Sequence, residues 1–182
     1  GIDFRYYKGL HKNVITDLFG GQYYVDSYNR KSVLAENSVN GGVTSWVNQK
    51  LGVGDVIRRD YDGFVMYEGG FAQLEYNKDK VSAFVSGGLT NTSYWRKDRF
   101  YYSGDKQLSS KKHYLGGNVK AGLNYNLDDY NNVFFNTGFI SRAPIFDNTF
   151  INSQSSHERN PDAKNEKVYS FELGYGYRSQ YF

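Results

Sequence analysis

Apolar and polar residues alternate with a period of two through long segments of this chain. Between Leu115 and Tyr125 the odd positions are apolar or glycine, whereas the even positions carry Asn118, Lys120 and Asn124. A two-residue period places successive side chains on opposite sides of an extended strand. The pattern therefore predicts β-strands with one apolar face. It recurs in Ala72–Tyr76, Val81–Leu89, Tyr169–Tyr177 and, more weakly because Phe134 and Ile140 break it, Val133–Phe139.

The composition agrees with strands and turns, and it excludes several other classes. Tyr, Phe and Gly account for 18, 13 and 20 of the 182 residues, whereas Met occurs once. Aromatic residues favour strands and glycine favours turns. There is no cysteine for a disulfide or for thiol chemistry, and the net charge of +3 predicts no nucleic-acid partner. No apolar run reaches the roughly 18 residues of a membrane helix, and no signal peptide is visible.

The alternation is longer than most soluble strands require. Strands of soluble sheets usually have about 5–6 residues, whereas a tilted strand needs about 9–11 to cross a bilayer. Length therefore favours a membrane barrel over a soluble sheet with one face on a core. The predicted strands are Ile2–Lys8, Phe64–Tyr76, Val81–Arg96, His113–Tyr125, Asn132–Arg142 and Lys167–Arg178.

Short and long connections alternate along the chain. The short ones, Asn77–Lys80 and Asn126–Asn131, are rich in turn-forming residues. The long ones fall between residues 10 and 61, 97 and 112, and 144 and 166. Outer-membrane barrels combine short periplasmic turns with long extracellular loops in this way. An interfacial girdle of aromatic rings is also predicted, because apolar-phase tyrosines precede the short connections and the chain end. These tyrosines are Tyr76, Tyr125 and Tyr177.

These patterns predict an all-β fold: an antiparallel up-and-down transmembrane β-barrel, present as a partial barrel of about six long strands. Six strands are fewer than the about eight of the smallest single-chain bacterial barrels, so we expect residues 1–182 to be a fragment of a larger one. The last residues agree, because a strand through Phe182 would place Arg178 and Gln180 on the face of its ring. We expect the last strand to end near Arg178 and a short turn to follow.

Two motifs resemble a known family. In "ISRAPIFDNTF" an Arg-Ala-Pro element, Arg142–Pro144, comes at the end of a predicted strand. In "NPDAKNEKVYSFELGYGYR" Asn160-Pro161 and Glu166 precede the strand that contains Ser170–Tyr175. Their order and spacing resemble late barrel strands of TonB-dependent outer-membrane receptors. Residues 1–26 are loosely similar to an earlier strand and loop of the same receptors.

The resemblance implies a barrel of about 22 strands with an amino-terminal plug. Such receptors import scarce ligands, among them iron chelates, cobalamin and glycans, and the inner-membrane TonB complex supplies the energy. The implied location is the outer membrane of a Gram-negative bacterium. The implied partners are outer-membrane lipid, the receptor's own plug domain, the TonB complex and a small-molecule or glycan ligand. Neither a plug domain nor a TonB box is visible in this sequence.

Two sets of side chains are candidates for ligand contact. Residues of the polar phase would face the lumen, where they would line the ligand path or contact the plug. These candidates are Gln73, Glu75, Asn118, Lys120, Asn124, Arg142, Glu172 and Arg178. Aromatic residues of the long loops could stack on a ligand, or they could pack within the loops. These candidates are Tyr23, Tyr24, Trp46, Tyr101 and Tyr102.

Three other functions stay open. A passive porin or other outer-membrane channel would show the same strands, and a soluble all-β binding module would show the same alternation. An outer-membrane hydrolase would need a base such as His11, His113 or His157, all expected in or beside long loops, and we expect no enzyme activity.

"GYGYRS" lacks the third glycine of a dinucleotide-binding loop, and its glycines are expected to relieve crowding along a strand. We expect no cofactor.

The charged segments of the chain are predicted to be turns or solvated loops. Arg59–Gly63 holds two carboxylates without the spacing of a calcium-binding loop, so a turn is expected there and no metal site. Asp128 and Asp129 are expected in a turn. The run Arg96–Arg99 is expected to be a solvated face of a loop.

Overall fold

The computed structural model describes residues 1–25 and 50–179. Within them, six strands form one antiparallel sheet whose strands follow each other in chain order. The predicted all-β, up-and-down arrangement is therefore confirmed. The strands are β1 (Ile2–Val14), β2 (Val56–Lys78), β3 (Val81–Asp98), β4 (Lys112–Asn126), β5 (Asn131–Arg142) and β6 (Glu166–Tyr177). Two short 3-10 helices, Gly104–Gln107 and Phe146–Thr149, lie in the connections after β3 and β5.

The first two strands are longer than the alternation predicts. β1 continues to Val14, and β2 begins at Val56 instead of Phe64. The segment Arg59–Gly63, expected as a turn, therefore lies inside β2, and that expectation was wrong. Charged residues hide the alternation here, because Asp62 holds an apolar-phase position and forms an ion pair with Lys8 of β1.

The register gives the sheet two faces of different character. Paired residues place the even positions of β1 and β2 on the same side as the odd positions of β3 to β6. This side, the apolar face, carries rows such as Leu74, Val85 and Ala121. The opposite side, the polar face, carries rows such as Gln73, Ser86 and Lys120. The alternation predicted for the separate segments thus combines into two continuous surfaces.

The connections differ in length at the two ends of the sheet. At one end, the turn end, Asp79 and Lys80 join β2 to β3, and residues 127–130 join β4 to β5. In the second turn the Asp128 carboxylate accepts hydrogen bonds from the backbone N–H groups of Tyr130 and Asn131, which confirms the expected turn and lowers the pKa of Asp128. The connections 15–55, 99–111 and 143–165 all join strands at the other end, the loop end.

Most buried residues lie at the loop end of the sheet, on the polar face and in the connections that pack on it. Tyr61, Tyr94, Phe100 and Phe150 are buried there, where the connections 99–111 and 143–165 pack on the sheet. Asp62, Ser93 and Trp95, by contrast, are buried at the loop end of the apolar face. Most of the large side chains on the rest of the apolar face are exposed, and every one of the six strands contributes some of them. Exposure reaches 79% at Leu89 and Leu115 and 81% at Leu173.

The sheet is open within residues 1–25 and 50–179, because β1 and β6 each pair with one strand. No helix in these ranges is long and apolar enough to cross a membrane.

Two phenylalanines of the polar face lie over glycines of the neighbouring strand. Phe84 is paired with Gly122, and Phe134 is paired with Gly174. A Cβ atom on either glycine would overlap the ring. The expectation that strand glycines relieve crowding is therefore confirmed at Gly174. The ring of Phe134 disturbs the alternation of β5 for the same reason, since it covers a polar-face position that has no side chain.

Candidate functional site

All eight lumen-facing candidates occupy polar-face positions in the part of the chain that the structure describes. Two lie on β2, three on β4 and one each on β5 and β6, and the eighth directly follows β6. They are Gln73, Glu75, Asn118, Lys120, Asn124, Arg142, Glu172 and Arg178. That this face lines a lumen stays a prediction, because the sheet of described residues is open.

Amides and carboxylates hydrogen-bond across the turn half of the polar face. Gln73 donates to Glu75 at 2.6 Å, and Asn136 donates to Glu172 at 2.9 Å. Nearer the turns, Asn132 donates to the side-chain oxygen of Asn124 at 2.5 Å. Side chains of β2 to β5 border an open groove of about 540 Å³. This surface offers hydrogen-bond donors and acceptors for polar ligands or for another protein surface.

Arg142 is placed differently from the other candidates. It is the last residue of β5, and its Nε donates to Glu166, the first residue of β6, at 2.7 Å. Both side chains are largely exposed. The ion pair thus joins the two strand ends and links one residue of each family-like motif. Pro144 lies just past the end of β5, and its carbonyl accepts a hydrogen bond from Tyr94 at 2.8 Å.

A buried arginine docks the connection 143–165 on the sheet. Arg96 on the polar face of β3 is fully buried, and its Nη2 lies 2.6 Å from Asp98 Oδ2. Its Nη1 donates to the backbone carbonyls of Ser153 and, at 2.8 Å, Ser156. Its guanidinium lies 4.3 Å from the ring centroid of Tyr61. The guanidinium therefore pairs a buried carboxylate and holds a loop that has no strand of its own.

The expectation that Arg96–Arg99 forms a solvated loop face was wrong. Arg96 and Asp98 are buried on the polar face, and Arg99 forms ion pairs with Asp60 and Asp62. Of the four residues from Arg96 to Arg99, Lys97 is the one with an exposed side chain. The sequence indicated the shared face of Arg96 and Asp98, although not its burial. Tyr94, Arg96 and Asp98 share one phase of the alternation, which places them on a single face of a strand.

His157 links the two packed connections. Its ring stacks on Tyr102 with centroids 3.9 Å apart, and its Nε2 lies 3.1 Å from the carbonyls of Lys106 and Gln107. Since carbonyls accept hydrogen bonds, Nε2 carries the proton of the neutral ring. Burial, together with the charge of Arg96, lowers the pKa of His157 to about 4. Its Nδ1 is buried without a hydrogen-bond partner, so the ring ties the loops together and offers no accessible base.

The loop aromatic candidates are divided between surface and interior. Tyr23 is 48% exposed, and Lys50 lies 4.8 Å from its ring centroid. Tyr24 forms a backbone bridge with Leu51. Tyr101 and Tyr102 are buried, as the packing alternative for these rings requires. Trp46 lies outside the described residues.

The remaining histidines lie on strands, each within a few residues of a long connection. His11 belongs to β1 and stacks on Tyr61 at 4.6 Å. His113 belongs to β4, and its Nδ1 lies 2.8 Å from Ser93 Oγ. A serine and a histidine lie at a similar distance in the catalytic triads of hydrolases, but Ser93 is fully buried and no substrate can reach its hydroxyl. No carboxylate of the described residues bonds His113, so the group that would orient the base is missing there.

The carboxylates of β2 are engaged in ion pairs. Arg99 bonds Asp60 at 2.6 Å and Asp62 at 2.8 Å, and Lys8 and Lys12 approach the same two carboxylates. Among residues 1–25 and 50–179, no three His, Cys, Asp or Glu side chains gather as metal ligands.

Comparison with known proteins identifies no relative. No protein-family model, no curated protein and no solved structure matches the chain. The resemblance to TonB-dependent receptors therefore rests on the two motifs alone. Arg142 ends β5, Glu166 begins β6 and Ser170–Tyr175 lies within β6, so the motifs occupy the strand ends that the alternation predicts.

Proposed function

We propose that this chain is part of the β-barrel of a TonB-dependent receptor in the outer membrane of a Gram-negative bacterium. In that role it serves the active import of a scarce ligand of the iron-chelate, cobalamin or glycan type. The observation that carries the membrane part of this proposal is the apolar face, whose large side chains are mostly exposed and come from all six strands. An apolar surface of this extent is unfavourable in water and is what a barrel presents to lipid.

The dimensions of the apolar face agree with a bilayer. From Leu115 to Tyr125, β4 is about 34 Å long at about 3.4 Å per residue. A tilt of about 45° reduces its height to about 24 Å, close to the roughly 25 Å apolar band of outer-membrane barrels. Tyr76, Tyr125 and Tyr177 end this band at the turn end, and all three rings are more than a third exposed. Amphipathic rings at one depth suit the boundary between acyl chains and water.

The receptor part of the proposal rests on the polar face and on the motifs. A plugged lumen requires a wall of hydrogen-bonding groups, and the polar-face amides and carboxylates supply one. In the complete receptor these residues contact the plug or line the ligand path, and the connections at the loop end capture the ligand. The TonB complex acts through the plug, so its energy reaches this wall indirectly.

A cysteine scan along β4 tests the membrane assignment, because the chain has no cysteine of its own. Single cysteines replace Val119, Ala121 and Leu123 on the apolar face, and Asn118, Lys120 and Asn124 on the polar face. Each carries a nitrobenzoxadiazole fluorophore, and the chain is reconstituted in phosphatidylcholine vesicles. We expect spin-labelled lipid to quench the first three strongly and the matched second three weakly. Gly122 is left unchanged because Phe84 covers it.

Two results would contradict the proposal. A monodisperse, cooperatively folded monomer in detergent-free buffer would support a soluble all-β binding module. Equal quenching at neighbouring positions would show that β4 does not present one face to lipid. The complete reading frame separates the receptor from a passive porin, since a plug domain ahead of the barrel supports active import.

A further inference from the structure

Six cations lie along the loop-end edge of the apolar face. We call this group the cationic margin; it comprises Lys8, Lys12, Lys97, Arg99, Lys111 and Lys167. Lys8, Lys12, Lys97 and Lys167 hold apolar-phase positions on their strands, and the Arg99 guanidinium reaches this face through Asp60 and Asp62. The cations thus lie on the surface that faces lipid in the proposed function, beyond the apolar residues.

Three aromatic rings separate the cationic margin from the apolar band. Phe64 and Trp95 stack with centroids 5.2 Å apart, and the Tyr6 ring lies 6.2 Å from that of Trp95. The ammonium of Lys111 lies 4.4 Å from the Trp95 ring centroid and that of Lys8 lies 5.8 Å from the Phe64 ring centroid. Rings followed outward by lysine ammonium groups form the order expected from acyl chains to headgroups at a membrane surface.

The carboxylates nearby do not balance these charges. Asp60 and Asp62 are shared by Lys8, Lys12 and Arg99, and Glu68 is the third acid of this face. Six cations therefore meet three carboxylates. Lys97, Lys111 and Lys167 form no ion pair within residues 1–25 and 50–179, and all three side chains are exposed.

The turn end shows no such excess. The cations there are Lys78, Lys80 and Arg178, and the acids are Asp79, Asp128 and Asp129, so the charges balance. Lys80 also donates to the carbonyl of Leu127 at 2.8 Å. The cations of this margin thus outnumber the acids of the apolar face, whereas the charges of the turn end balance.

We propose that the cationic margin binds the phosphates of anionic lipid headgroups in the leaflet on the loop side. This inference rests on the proposed function, because it requires the apolar face to lie in a bilayer. A net positive margin directly beyond the aromatic rings of the apolar face complements a negatively charged headgroup layer. The balanced turn end has no preference of this kind, so the two leaflets are distinguished by headgroup charge.

The test compares two lipids at two depths of the same sheet. A single labelled cysteine replaces Leu89, which lies six residues nearer the loop end of the sheet, or Leu123, near the turn end. Vesicles contain phosphatidylcholine and phosphatidylglycerol, and one of the two lipids carries the spin label. We expect labelled phosphatidylglycerol to quench the Leu89 reporter several-fold better than labelled phosphatidylcholine at low salt. At the Leu123 reporter the two lipids quench equally.

Lys97→Gln with Lys111→Gln removes two exposed cations that leave no carboxylate unpaired. We expect this double change to reduce the stronger quenching of the Leu89 reporter by labelled phosphatidylglycerol, so that the two lipids quench it almost equally. The matched pair Lys78→Gln with Lys80→Gln should leave the stronger quenching by phosphatidylglycerol unchanged. Equal quenching by both lipids at Leu89 in the unmodified chain overturns the inference and leaves the membrane assignment standing. Absence of quenching by either lipid at both reporters overturns the proposed function as well.

Discussion

Phe134 and Gly174 show how one side chain determines the identity of its neighbour across the sheet. The ring of Phe134 lies where a side chain of residue 174 would stand, and Phe84 has the same relation to Gly122. A glycine in a strand costs backbone entropy and contributes no packing of its own. The ring that covers it restores contact and shields the neighbouring backbone, as aromatic side chains do for glycines in other sheets.

At this scale we expect Gly174→Ala to lower the free energy of unfolding by about 1–3 kcal/mol, because the new methyl group overpacks against the Phe134 ring. Urea unfolding in detergent micelles measures the change. Gly87→Ala is the matched control, since the nearest atom to its Cβ would be 3.6 Å away. Combining Gly174→Ala with Phe134→Ala should cost less than the sum of the single changes. Additive costs would contradict the overlap.

Residue-level features were predictable from the sequence only where the alternation was clean. The faces of Asn118, Lys120 and Glu172 follow directly from it. The burial of Arg96 and Asp98 did not, because charge predicts exposure and nothing local indicates that residues 152–156 fold over this position. The hydrogen bond between Ser93 and His113 was equally invisible, since it depends on the register between β3 and β4.

At the scale of elements, the connection 143–165 is held by contacts with the sheet and not by regular structure of its own. Within the described residues it contains one short 3-10 helix, Phe146–Thr149. Arg96 supplies hydrogen bonds to its carbonyls, and His157 joins it to the connection 99–111. Loops fixed in this way keep one shape, which is what a surface for ligand capture requires.

We expect Arg96→Met to lower the free energy of unfolding by about 3–5 kcal/mol, because it leaves Asp98 buried without its partner. It should also free the connection 143–165, so limited proteolysis would cleave within these residues faster than in the unmodified chain. Arg142→Gln is the matched control: its ion pair with Glu166 is exposed, and its loss should leave both measurements nearly unchanged. Protection of residues 143–165 in Arg96→Met would contradict the docking role.

The elements themselves were largely predictable, and their ends were less so. β3 to β6 agree with the predicted strands within one or two residues. β1 and β2 extend further because their loop-end halves are stabilised by ion pairs, such as Lys8 with Asp62, which a search for apolar alternation overlooks. The connections could not be predicted, since their conformation depends on contacts with side chains distant in sequence.

At the scale of the whole molecule, the proposed function places the two kinds of connection on opposite sides of a bilayer. We therefore expect opposite labelling of two pairs of single cysteines in sealed vesicles or intact cells. Asp105→Cys and Ser155→Cys lie in the long connections, and Lys80→Cys and Asp129→Cys lie in the turns. A membrane-impermeant maleimide should label one pair before lysis and the other after it. If a cysteine of the long connections and a cysteine of the turns were both labelled before lysis, the result would contradict a sheet that spans the membrane.

The register break between β1 and β2 has a consequence for how such a chain can change length. Between Lys12 and Asn13, β2 contains two residues, Arg58 and Arg59, that have no partner on β1. Two extra residues return the next side chains to their former side, whereas one would exchange the lipid-facing and water-facing surfaces for the rest of the strand. Insertions and deletions inside these strands should therefore survive selection in pairs, while those in the connections have no such parity to keep.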